Sequence, residues 1–122
     1  MATVSKKQFL VGFKTKRLDD VPGIDGEVTI KELSAAERNL LAMRMADAAP
    51  GGDFDELPMA VFAQEFPFIV YVGLKVPSLT LAEVERIPAS LSEAVNYLAV
   101  EILKLSDMWA EEDEEEGPSP KG

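Results

Sequence analysis

From residue 91 to residue 109 the apolar positions return every three or four residues. Leu91, Ala94, Val95, Leu98, Ala99, Ile102, Leu103 and Leu105 fall on one side, and Glu93, Asn96, Glu101 and Lys104 on the other. This is the period of an amphipathic helix with one face turned to a core. A second helix is predicted over residues 35–48, where Leu41, Met45 and Ala48 stand at i, i+4 and i+7 with Leu40 beside them, and it ends at Ala49-Pro50-Gly51-Gly52. Arg38 and Arg44 are expected on its wet side. A short helix over 81–86 stops before Pro88. Three of these starts carry the same device: Ser34 with Glu37, Thr80 with Glu83, and Ser90 with Glu93 each fit a capping box. There the hydroxyl accepts from a free helix amide and the carboxylate reaches back.

Other segments break this rhythm. Residues 57–76 are apolar on nearly every side, so a helix there must be buried. Pro67 removes one helical hydrogen bond and predicts a kink or break; periodicity alone does not exclude a strand over 68–76. Near the N-terminus, residues 8–16 alternate imperfectly, with Phe9, Val11 and Phe13 on one face, and read as a strand. Asp19, Asp20, Pro22, Gly23 and Gly26 supply turn chemistry. Val28 and Ile30 then alternate with Glu27, Thr29 and Lys31 in a second short strand. The two strands make a hairpin that needs a helix over its apolar face to be stable. The fold class expected is mainly α with a short N-terminal β-hairpin, a small α+β domain over residues 1–109. A disordered acidic tail follows over 110–122.

Composition narrows the function. The 122 residues are 47% hydrophobic, enough for one core, and carry a formal net charge of −10 with no His and no Cys. An anionic chain is repelled by duplex DNA and by anionic membranes, so neither is expected as a partner. The absence of Cys leaves no disulfide framework and no thiolate zinc site. No secretory signal is visible, and the most apolar window, residues 66–76, is too short to span a bilayer, which predicts a soluble intracellular protein. Charge is also uneven along the chain. Residues 1–17 hold Lys6, Lys7, Lys14, Lys16 and Arg17 and no acid, whereas residues 111–116 are Glu-Glu-Asp-Glu-Glu-Glu. Such a run is read first as a solvating tail, and second as a segment that docks on a basic surface.

Catalytic chemistry is sparse. Asp19 with Asp20, and Asp53 with Asp55 and Glu56, offer oxygen ligands, but GGDFDEL lacks the spacing of a twelve-residue calcium loop. A serine nucleophile would lack a histidine base. No enzyme activity, metal or cofactor is expected. The aromatics of the central segment, Phe62, Phe66, Phe68 and Tyr71, are either core or, where exposed, contacts for a partner.

The motif Glu27-Val28-Thr29-Ile30-Lys31-Glu32-Leu33-Ser34-Ala35-Ala36-Glu37-Arg38 leads into a helix, an apolar mid-chain segment, a short helix and a last amphipathic helix with an acidic end. Together these resemble the tail assembly chaperones of long-tailed bacteriophages over roughly residues 23–110, although a strand-bearing N-terminus departs from the purely helical members. The resemblance implies a non-catalytic protein of the host cytoplasm, not retained in the mature virion. It would bind the tape-measure protein, keep it soluble, form homo-oligomers and help recruit the major tail tube protein. It also implies a longer product made by ribosomal frameshifting, for which Ser119-Pro120-Lys121 admits a slippery codon heptamer. The competing classes are an acidic nucleic-acid mimic that inhibits a host enzyme and a structural head or tail connector.

Overall fold

A three-stranded antiparallel sheet in the order β1-β2-β3 is packed against helices drawn from the second half of the chain. The structure, a computed structural model, describes residues 5–46 and 62–109. β1 (Thr15–Leu18) pairs with β2 (Val28–Lys31) from Thr15↔Lys31 to Leu18↔Val28. β3 (Leu74–Val76) pairs with the other edge of β2, with a bulge between Thr29 and Ile30. Val28 and Ile30 alternate inward along the central strand, as their spacing predicts. The hairpin turn is dictated by Val21-Pro22-Gly23-Ile24. Ile24 N–H donates to the Val21 carbonyl at 3.1 Å, proline presets the first central position, and Gly23 takes φ 77° at the second.

The expectation of a strand over residues 8–16 is corrected. Residues Lys6–Phe9 form a one-turn helix, α1, and pairing begins only at Thr15. Ser5 N–H donates to Gln8 Oε1 at 3.0 Å, so a Ser-x-x-Gln start competes with extension. Phe9, Val11 and Phe13, predicted to share a covered face, all lie exposed.

α2 (Ala35–Arg44) begins with the expected capping box: Glu37 N–H donates to Ser34 Oγ at 3.0 Å and Ser34 N–H to Glu37 Oε1 at 2.9 Å. Leu41 and Met45 are buried, and Arg38 and Arg44 lie on the wet side. The central segment resolves into α3 (Phe66–Gly73) followed directly by β3. The expected break at Pro67 is present: helical residues 62–63 give way to a turn at 64–65, and Pro67 sits in the first turn of the new helix, where its missing N–H has no partner to lose. Leu74 then goes extended and joins the sheet, a third strand that the expected hairpin did not include.

α4 (Leu81–Glu85) carries the second expected box, Thr80 with Glu83. The third expected box is not formed. Ser90 lies in a 3-10 turn, Ala89–Leu91, held by Leu91 N–H to the Pro88 carbonyl, and Leu91 occupies the N-cap of α5 (Ser92–Leu105). Along α5 Ala94, Leu98, Ala99, Ile102 and Leu103 are buried in the sequence-predicted stripe. The helix ends earlier than Trp109. Asp107 adopts φ 61°, Met108 N–H donates to the Leu103 carbonyl at 2.8 Å, and Asp107 N–H donates to that of Lys104 at 3.1 Å. This is a Schellman closure with aspartate where glycine is usual.

One core joins these pieces. α3 packs along α5, and Ile30, Leu41, Ile69, Val70, Ile102 and Leu103 are its most enclosed large side chains. Ser106 ties the far end of α5 to the start of α2. Its Oγ accepts from Leu33 N–H at 2.9 Å and donates to the Ile102 carbonyl at 2.8 Å. The expected small α+β class holds. Residues 47–61 and the acidic run from 110 onward lie outside the described residues, as do Asp53, Asp55 and Glu56.

Candidate partner-binding surface

The four aromatics singled out as partner contacts are separated by burial. Phe62 meets Trp109 edge-on, with ring centroids 5.4 Å apart, and is buried. Phe66 is 2% exposed. Phe68 is buried beneath Arg44, whose guanidinium carbon stands 4.5 Å from the ring centroid while its Nε–H donates to Glu65. These three are core side chains, and offering them to a partner would mean opening the domain. Tyr71 differs: it is 40% exposed, with its ring 6.4 Å from that of Phe68. The buried helix α3 has one outward edge, and Tyr71 stands on it.

Exposed apolar surface is concentrated elsewhere. Phe9, Leu10, Val11 and Phe13 follow one another along α1 and its approach to β1, with Phe9 77% and Val11 69% exposed. Lys31 Nζ lies 4.7 Å above the Phe13 ring, anchoring the end of this arm to β2. The sequence did carry a signal here: four large apolar residues within five positions, flanked by Lys6, Lys7 and Lys14, fit a half-buried strand poorly.

A groove of about 310 Å³ opens between the hairpin turn and the start of α5. Its floor is Val28 from β2, Val70 and Leu74 at the junction of α3 with β3, and Leu98 of α5. Ile24, Pro77, Leu79 and Leu91 form its walls, and Asp25 and Glu27 stand at the rim. The wall is positioned by the Pro22-Gly23 turn, since a Cβ at Gly23 would lie 3.0 Å from Leu91 Cδ2. Most of these wall residues belong to turns and connections, where hydrophobic periodicity carries no information. Sequence reading therefore missed them. In size the groove lies at the lower end for ligand sites. It suits one or two anchoring side chains better than a cofactor, and its lining supplies packing rather than proton transfer.

Charge around the domain is mainly paired at the surface. Glu101 receives Lys16 at 3.1 Å and Lys104 at 3.5 Å, so it is partly covered although the helical pattern turned it to solvent. Lys14 meets Asp107 at 3.3 Å, and Arg17 lies 3.8 Å from Glu27 at the groove rim. Tyr97 donates to Asp20 Oδ1 at 2.9 Å. Desolvation, that hydrogen bond, and the negative field of Glu101, Asp20 and Asp19 push the Tyr97 phenol up to about 12. Among the described residues no group of three or more acids is arranged to hold a metal ion. No helix among them is long and apolar enough to cross a membrane.

Comparison with protein-family models, with curated proteins and with solved structures returned no match.

Proposed function

We propose that this chain is a binding protein of the tail-assembly-chaperone type, which seats apolar anchor side chains of a long, aggregation-prone partner in the groove beside α5. The observation that carries the reading is the groove itself: an open, apolar recess with acids at its lip, built on secondary structure that fixes its floor. Recesses of this kind hold the few residues that dominate protein recognition. The exposed arm from Phe9 to Phe13 adds a second apolar contact, larger than scattered surface hydrophobics. Each buried Å² contributes about 25 cal/mol, and repeated modest contacts along one extended chain raise the effective affinity. The tape-measure protein of a long-tailed phage has the required character under the resemblance of residues 23–110 to the chaperone family. Binding keeps it soluble until tube subunits are recruited. The acidic exterior limits precipitation of the complex.

The test is co-expression with the tape-measure protein encoded in the same genome. The wild-type chain is expected to hold that protein in the soluble fraction and to co-elute with it. Leu79→Asp at the groove wall is expected to lose capture while its circular dichroism stays that of the wild type; its urea midpoint falls because Leu79 is half-buried and packs against the core. Equal capture by Leu79→Asp and wild type, or a tape-measure protein that stays insoluble with both, would remove the proposal.

A further inference from the structure

α1 has no buried residue, and its two cations, Lys6 and Lys7, have no ion-pair partner among the described residues. The next cations along the chain are engaged in an ordered way. Lys16 pairs with Glu101 and Lys14 pairs with Asp107, so a step toward the N-terminus on one strand of the pairing is matched by a step toward the C-terminus on the other. The two segments run antiparallel past each other. Beyond Asp107 the next acids are Glu111 to Glu116, and before Lys14 the next bases are Lys7 and Lys6.

We propose that residues 110–122 of this chain dock along α1, with the Glu111–Glu116 run continuing the charge pairing onto Lys7 and Lys6. Reach allows it. Glu111 follows Asp107 by four residue steps, a span of at most about 14 Å, and the run extends that by roughly 17 Å more. Lys7 lies within about 25 Å of Lys14 by the same measure. Complementarity is local: residues 1–17 carry five bases and no acid, while residues 111–122 carry six acids against one Lys. Single surface pairs are weak, so the contact depends on several acting together and is screened by salt. This contact is set by the two ion pairs and the opposite charges of residues 1–17 and 111–122, independent of what the groove binds.

The experiment compares amide spectra of the full wild-type chain with those of a full-length variant carrying Glu111→Gln, Glu112→Gln, Asp113→Asn, Glu114→Gln, Glu115→Gln and Glu116→Gln together. At low salt the signals of residues 6–14 are expected to differ between the two while those of β2 and α5 coincide. High salt is expected to bring the wild-type spectrum onto the variant's. Tryptic cleavage after Lys6 and Lys7 is expected to be roughly two- to fivefold slower in wild type, the protection a few surface ion pairs give. Coincident low-salt spectra for residues 6–14 would overturn the proposal. So would shifts that grow with protein concentration, which would place the tail of a second copy there instead.

Discussion

A methyl group at position 73 has nowhere to go. A Cβ built on Gly73 would stand 2.5 to 2.8 Å from three atoms of the Ile102 side chain, because that α5 side chain packs directly onto the α3 backbone at this point. Gly73→Ala is expected to lower stability by about 1–3 kcal/mol, the usual cost of overpacking, read as a reduced urea midpoint. Gly12, with open space around it, is the control: Gly12→Ala should leave the midpoint nearly unchanged. An Ala at 73 that matched wild type would show that α3 and α5 are not so closely apposed. Tyr97 gives a second residue-level test. Its phenol is held up to about 12 in the fold, against about 10 in an unfolded chain, so folding favours the neutral form. The stabilisation is complete below pH 10 and is lost as pH rises through the folded value. In a Tyr71→Phe background, phenolate absorbance of the native chain should therefore appear at higher pH than that of the urea-unfolded chain. Superimposable titrations would contradict the Asp20 contact.

At the scale of elements, local signals that satisfy backbone groups were legible. Ser34-x-x-Glu37 and Thr80-x-x-Glu83 both cap helices, and replacing Ser34 by Ala should cost about 0.5–2 kcal/mol in thermal or urea unfolding. An unchanged midpoint for Ser34→Ala would mean the cap hydrogen bond has no energetic role. The same pattern at Ser90-x-x-Glu93 was misleading, because Pro88 starts a 3-10 turn that moves the helix start to Ser92. At Ser5-x-x-Gln8 it opens α1, so the segment begins as a turn of helix and not as the strand its alternation predicts. The stripe of α5 was legible because its 14 residues repeat one period. α3 was ambiguous for a physical reason: a segment buried on most sides shows no alternation, so periodicity cannot separate helix from strand. What ended α3 was tertiary, the approach of Gly73 to Ile102 and the free edge of β2 waiting for Leu74.

For the whole molecule, the sequence conveyed one α+β domain with a single core, yet it misplaced the surface. Phe62, Phe66 and Phe68 carry the strongest apolar signal and serve the core. Ile24, Leu79 and Leu91, which shape the groove, come from a turn, a connection and a helix edge brought together only by the fold. Composition alone does not distinguish the two uses of an apolar residue; the three-dimensional arrangement does. In the proposed function the groove receives apolar anchors of a tape-measure protein. This is tested most directly by measuring the affinity of purified tape-measure protein for the wild-type chain and for Leu79→Asp under identical salt. Tight binding to wild type is expected, with at least about a tenfold loss in the variant, the effect of removing one anchoring contact of roughly 1.4 kcal/mol. Equal affinities for the two folded chains would contradict it.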